Sequence, residues 1–216
     1  MVKWCIMKTQ GVFLLQPQDR TKLHEEDWED VKEESCLDLE EKTIRTQKIY
    51  DGKIIRVQLD EVELPDGKTA TRELVKHSGA VGVLAVTAEN KLVLVKQFRK
   101  PLEKTILEIP AGKLEPREDS QACAHRELME ETGYRAERLE SIISFYTSPG
   151  FADEILHLYR ATGLSSGDVQ PDSDEFVELT ELTLEEAFDR MASGEICDAK
   201  TVTALYIWKN QVLGGK

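Results

Sequence analysis

Cysteine and histidine are scarce and scattered. Cys5, Cys36, Cys123 and Cys197 lie far apart, and no two have the short spacing of a zinc site. That pattern suits a reducing, cytosolic compartment. His24, His77, His125 and His157 are spread just as widely, which excludes a His-rich metal motif. Long apolar runs are missing too: none approaches the roughly 18 residues that span a bilayer. The short GVFLL near the N-terminus is too brief and broken for a signal peptide, and glutamines follow where small residues would mark cleavage. The sequence therefore reads as soluble, cytoplasmic and free of membrane contact. Positive charge is also short. Against 41 Asp and Glu stand only 28 Lys and Arg, a formal net charge of −13. So acidic a chain repels a phosphate backbone, which argues against nucleic-acid binding. An anionic substrate would need local correction by a metal ion or a few placed arginines.

What is present is enough for a real core: 40% of the 216 residues are hydrophobic. The length suits one domain, or a domain of about 170 residues with an appendage. The appendage is residues 1–41. It contains HEEDWEDVKEES, an acidic run without a helical apolar stripe, and reads as a poorly ordered extension. Residues 42–216 form the domain proper, with N-terminal strands at about 44–78 and a core at about 79–212. Here KIIRVQLDEVELPDGKTATRELVKH predicts two strands around a Pro-Asp-Gly turn. Val57 and Leu59 share one alternation and Val62 and Leu64 another, which predicts a bulge between them. AVGVLAVTAENKLVLVKQFR predicts a second hairpin. TILEIPAG, SIISFYTSPG, EILHLYRATG and FVELTELT predict further strands. A helix begins at Thr183, with Glu186 completing a capping box and Gly194 near its end. The last segment, DAKTVTALYIWKNQV, reads as an amphipathic helix whose Leu205, Ile207 and Trp208 face the core. Mixed strands with a few helices give an α+β fold or an α/β/α sandwich.

One stretch carries chemistry: GKLEPREDSQACAHRELMEETGY, Gly112 to Tyr134. With Asp119 or Ser120 as cap and Gly133 at the far end, it holds a helix. At about 100° per residue, Glu127, Glu130 and Glu131 share an arc of roughly 100° on one face. Like charges at these spacings cost a few tenths of a kcal/mol per pair, and more if partly buried. Water offsets this if the face is merely solvated. A divalent cation offsets it better, and a cluster of carboxylates without His or Cys favours Mg²⁺ or Mn²⁺ over Zn²⁺.

The spacing then narrows the choice. Read from Gly112, the order is Gly, five residues, Glu118, seven residues, Arg126-Glu127-Leu128, one residue, Glu130-Glu131, one residue, Gly133-Tyr134. It matches the Nudix box, G-x5-E-x7-R-E-U-x-E-E-x-G-U with U apolar or aromatic, at every fixed position. The sequence thus resembles the Nudix hydrolases over about residues 44–210. SPGFADE sets Pro149 fifteen residues past Tyr134, and together with LVKQFRKP, ILEIPAGKLEP and FVELTEL it resembles the ADP-ribose pyrophosphatase branch.

The resemblance implies an α/β/α sandwich around a mixed sheet. It implies N-terminal antiparallel strands exchanged in a homodimer, and Mg²⁺- or Mn²⁺-dependent hydrolysis of ADP-ribose to AMP and ribose 5-phosphate. Glu127 and Glu131 would be metal ligands, with the Ala111 carbonyl as a backbone ligand. Glu130 would hold a further metal or position water. Glu118 and Arg126 would be the pair that braces loop against helix, with Gly112, Gly133 and Pro149 as structural positions. Arg99 would bind phosphate, and Arg72 and Glu73 would lie at the adenine pocket. At the position of Arg72 some relatives carry an aromatic that stacks on adenine; arginine can stack as well. Glu108 and Glu154 are further candidates for substrate contact. The general base would come from the loop VQPDSDEF, where Asp172, Asp174 and Glu175 qualify and Glu175 is the choice. Two other readings stand beside this one. The chain could hydrolyse another nucleoside diphosphate derivative, such as a nucleotide sugar or a dinucleotide, or it could be a non-catalytic module that senses ADP-ribose.

Overall fold

The structure, a computed structural model, describes residues 38–167 and 176–214. The chain divides into two units, Met1–Leu39 and Glu40–Lys216. All but the last two residues of the first unit lie outside the described residues, and so does the expected disorder of the acidic extension.

In the second unit, β1 (Lys42–Asp51), β2 (Ile55–Glu63) and β3 (Thr69–His77) form an antiparallel sheet in chain order. The Pro-Asp-Gly turn closes between β2 and β3. Gly67 takes φ of 79° and donates to the Leu64 carbonyl at 2.8 Å, a conformation that glycine adopts without a Cβ penalty. The predicted bulge in β2 is absent. β2 and β3 pair without a break from Ile55↔His77 to Glu63↔Thr69. Val57 and Leu59 simply lie on the opposite face from Val62, because both faces of this sheet carry apolar side chains. The register shifts fall in β1, between Thr43 and Arg45 and between Lys48 and Tyr50.

The second hairpin is also corrected. β4 (Ala80–Ala85) and β5 (Leu92–Arg99) are joined by a turn in which Asn90 has φ of 60°. They nonetheless enter different sheets, and one bridge, Val86↔Leu92, is what remains of their pairing. Both edges of β4 are already taken. β7 (Ala111–Lys113) pairs with it antiparallel, and β9 (Ile155–Ser166) pairs with it in parallel. The four-stranded order is β7-β4-β9-β8, with β8 being Tyr134–Tyr146. β5 lies instead between β10 (Val177–Leu182) and β6 (Lys104–Glu108).

Helices cover both faces. α1 (Ser120–Thr132) packs with Val81, Val83, Ala85 and Val93 through Cys123, Ala124 and Leu128. α2 (Leu184–Ala192) and α3 (Ala199–Gly214) pack with Leu84, Leu92, Leu94 and Leu158 through Ala187, Ala204, Leu205 and Trp208. Ile207 is half-buried beside this second cluster. Successive residues of β4 and β5 thus feed opposite clusters, as period-two strands buried on both faces must. The result is the expected α/β/α sandwich around mixed strands.

The helix ends follow local chemistry. Asp119 caps α1, accepting from the Gln121 and Ala122 amides, and Gly133 ends it at φ of 72°. Thr183 and Glu186 form the capping box of α2. Asp198 opens α3 by accepting from the Thr201 amide at 3.2 Å. No helix among the described residues is long and apolar enough to cross a membrane.

Candidate active site

The carboxylate face of α1 meets the backbone of β7. Gly112 makes this possible: a Cβ there would stand 1.8 Å from the Glu127 carboxyl. One residue earlier, the Ala111 amide donates to Glu131 at 2.9 Å. Glu127 is 8% exposed and Glu131 3%, whereas Glu130 lies nearer solvent. The face is therefore packed against a strand, not simply solvated, and like charges are held together at a desolvation cost.

Arg126 offsets part of that cost. It forks onto Glu118, with Nε at 3.0 Å and Nη2 at 3.1 Å, and its Nη1 reaches Glu127 at 2.8 Å and Glu130 at 2.9 Å. Glu118 also accepts from the Glu115 amide at 2.9 Å, so the loop is tied to the helix. The hydrogen bonds from Arg126 hold the Glu118 carboxyl down at about 2. Glu118 in turn pushes the guanidinium above its usual range. Cys123 sits beneath, and burial pushes its thiol up to about 12, outside the range of a reactive cysteine.

Arg99 ends β5 and binds Glu108, the last residue of β6, through both carboxylate oxygens, with Nε at 2.9 Å from Oε1. Glu108 is 2% exposed. It also accepts from Lys200 at 2.8 Å. Burial alone would raise the Glu108 carboxyl; Arg99 and Lys200 outweigh it and hold it below the ordinary value. Both its oxygens thus face protein cations, whereas the resemblance implies contact with substrate. The hydrogen bonds to Glu108 raise the Arg99 guanidinium above its usual range, and the charge of Glu131 adds a smaller part.

A second group surrounds β3. Arg72 forks onto Glu41 just before β1, at 2.8 and 2.5 Å. Glu73 lines a groove of about 360 Å³ with Ile49, Val57, Leu59, Val75 and Phe151. Pro149 follows Ser148 in a tight turn, where the Phe151 and Ala152 amides donate to the Ser148 carbonyl. The loop is fastened to β3, because Val75 and Phe151, then Asp153 and Val75, exchange backbone bonds. Glu154 accepts from Thr147 at 2.6 Å and lies 3.6 Å from His77. Asp172, Asp174 and Glu175 lie outside the described residues.

Sequence reasoning missed Lys200 and Asp198. Lys200 bonds Asp198 at 2.9 Å as well as Glu108, from a helix 92 residues away in sequence. It also missed Tyr134, which donates to Glu181 of β10 and whose phenol that bond pushes up to about 12. Neither pairing has a local signal, because each joins elements far apart in the chain.

Among the described residues, no three His, Cys, Asp or Glu side chains are already gathered into a cation cage. The donor set fits a hard cation all the same. It offers carboxylate oxygens on one helix face beside a backbone strand, and the missing Cβ of Gly112 leaves room for Glu127. Mg²⁺ in particular binds one or two carboxylates and completes its shell with water and phosphate.

Comparison with known proteins identifies the family. Residues 76–205 match the NUDIX domain, and residues 41–75 match the nucleoside diphosphate sugar hydrolase N-terminal domain. A methanol dehydrogenase activator of Bacillus methanolicus is 58% identical over 168 residues, 77% of this chain and 91% of that protein. An ADP-ribose pyrophosphatase of Bacillus subtilis (strain 168) is 57% identical over 169 residues, with the same two coverages of 77% and 91%. A solved structure described as an ADP compounds hydrolase shares the fold, with a TM-score of 0.72 at 19% identity over 82% of this chain and 96% of that one. Box, fold and relatives converge: the chain belongs to the Nudix family.

Proposed function

We propose that the chain is a cytoplasmic hydrolase of ADP-ribose that depends on Mg²⁺ or, in its place, Mn²⁺, and that it works as a homodimer. Water adds to one phosphorus, the bridging P–O bond breaks, and AMP and ribose 5-phosphate leave. The observation that carries this reading is the packing of Glu127 and Glu131 against Ala111 and Gly112. The 57% identity to an ADP-ribose pyrophosphatase supports the substrate.

A divalent cation supplies neutralisation of the diphosphate and a water of lowered pKa. Glu127, Glu130, Glu131 and the Ala111 carbonyl would hold it. Arg126, fixed by Glu118, keeps the glutamates on one face. Arg99 presents a guanidinium fork to a phosphate. The groove beside Glu73 receives the nucleobase, with Phe151 of the Pro149 turn at its wall. Arg72, the preceding residue on β3, would reach the base only on release from Glu41, and Glu154 is a further candidate for substrate contact. Glu175 takes the proton from the attacking water, with Asp172 and Asp174 as alternatives.

The dimer reading is supported by β1. All ten of its residues are exposed, and Ile44, Ile49 and Tyr50 are each more than half exposed. An exposed edge strand of that length, carrying three large hydrophobic side chains, offers a partner strand both backbone and apolar contact.

The test is Mg²⁺-dependent release of AMP from ADP-ribose, beside ADP-glucose, NADH and dGTP. Preference for ADP-ribose is expected, with turnover lower by more than about 100-fold in Glu127→Gln. Binding without turnover of any substrate would replace this reading with a sensing module. A second reading rests on the 58% relative named for activating methanol dehydrogenase. In that case the chain raises the activity of a dehydrogenase, and adding it to such an enzyme with its nucleotide cofactor tests the point.

A further inference from the structure

We propose that Lys200 is a positioning residue for substrate binding. Acting through Glu108, it keeps the Arg99 fork turned toward the diphosphate. This rests on the reading of Arg99 as a phosphate ligand.

Four charged groups meet here. Glu108 is almost wholly buried, Lys200 and Asp198 are mostly buried, and Arg99 keeps 38% of its side chain exposed. Arg99 is therefore the member that faces outward, and the other three form its pedestal. Arg99 Nη2 and Lys200 Nζ converge on the same oxygen, Oε2 of Glu108. Asp198 holds the ammonium from the other side while capping α3. A buried carboxylate demands compensation, and an uncompensated one is costly. With Lys200 in place, two cations share that demand. Arg99 binds Glu108 through Nε and Nη2, which leaves the Nη1 side of its fork for an anion. Without Lys200, Arg99 alone must satisfy Glu108. Its guanidinium is then drawn inward, and a phosphate must compete with a buried carboxylate for it. A compact ammonium suits this place better than a second planar fork, because it approaches one oxygen from the side.

The experiment uses the full chain. Steady-state hydrolysis of ADP-ribose is measured for wild type, Lys200→Met, Arg99→Met and the double variant. Calorimetric binding of ADP is measured on the same set and needs no turnover. Lys200→Met should raise KM and the ADP dissociation constant about tenfold while kcat stays within about twofold. In the Arg99→Met background the same change should add almost nothing, since a residue acting through Arg99 has nothing left to act on. A purely structural role would lower kcat and the melting temperature in both backgrounds alike. Unchanged KM and ADP binding in Lys200→Met would overturn the proposal, and so would an equal effect with and without Arg99. If Lys200→Met does not fold, Asp198→Asn decides. It loosens the hold on Lys200 and should raise KM about two- to threefold, whereas an unchanged KM would overturn the proposal. If the wild type fails to hydrolyse ADP-ribose yet ADP binding shows the coupling, the functional reading falls and the positioning role stands.

Discussion

At Gly112, the space left by one absent methyl group is filled by the Glu127 carboxyl. A Cβ would stand 1.8 Å from the Glu127 carboxyl, and no side-chain rotation of alanine can relieve that. Gly112→Ala must therefore expel Glu127 or distort β7. Its kcat/KM should fall about 100-fold, as for loss of a ligand, with a lower melting temperature; near-normal turnover would disprove the packing. Glu118 makes a different prediction. Its carboxyl sits at about 2, below the roughly 4.3 of an unfolded chain. The unfolded state thus takes up the proton first. Stability from this group is complete above about pH 4.3 and is lost as the pH falls toward 2. Denaturant unfolding followed from pH 7 to pH 2 should show this loss in wild type. In Glu118→Gln the profile should be flatter and stability at pH 7 lower. Equal slopes for the two proteins would contradict it.

Among elements, α2 owes its start to one reciprocal pair, Thr183 and Glu186. Thr183→Ala should cost about 1 kcal/mol in urea unfolding and leave KM for ADP-ribose untouched. A change in KM would mean that α2 shapes the site. Elements like this one were legible from sequence because caps are local: Asp119, Gly133 and Thr183 each act within four residues. The box was legible for the same reason, since its carboxylates hang from a single helix at fixed angles. Pairing was not. β4 and β5 look like a hairpin in sequence, yet β7 and β9 occupy both edges of β4, and β9 begins seventy residues after it ends. The bulge expected in β2 failed because the pattern assumes one buried face, whereas this sheet has apolar residues on both. Lys200 escaped notice because its partner Glu108 lies 92 residues away.

For the whole molecule, the exposed β1 leads to a prediction about assembly. Ile44→Asp with Ile49→Asp should convert a dimer to a monomer in sedimentation at micromolar concentration and raise KM for ADP-ribose, because Ile49 also lines the groove beside Glu73. A wild-type monomer would disprove the dimer, and a mutant dimer would move the interface elsewhere. The pedestal under Arg99 has a consequence for how the protein is made. The ribosome releases Glu108 long before Lys200, and Leu107 and Ile109 wait equally for Glu195 and Thr201 to bond their amides. Until α3 emerges, a nascent chain cannot bury that carboxylate with both of its cations, and until β10 emerges β5 keeps an open edge. A growing polypeptide is therefore exposed to premature association at β5 until Val177–Leu182 has been made, and carries an undercompensated Glu108 for about twenty residues more, until Lys200 follows.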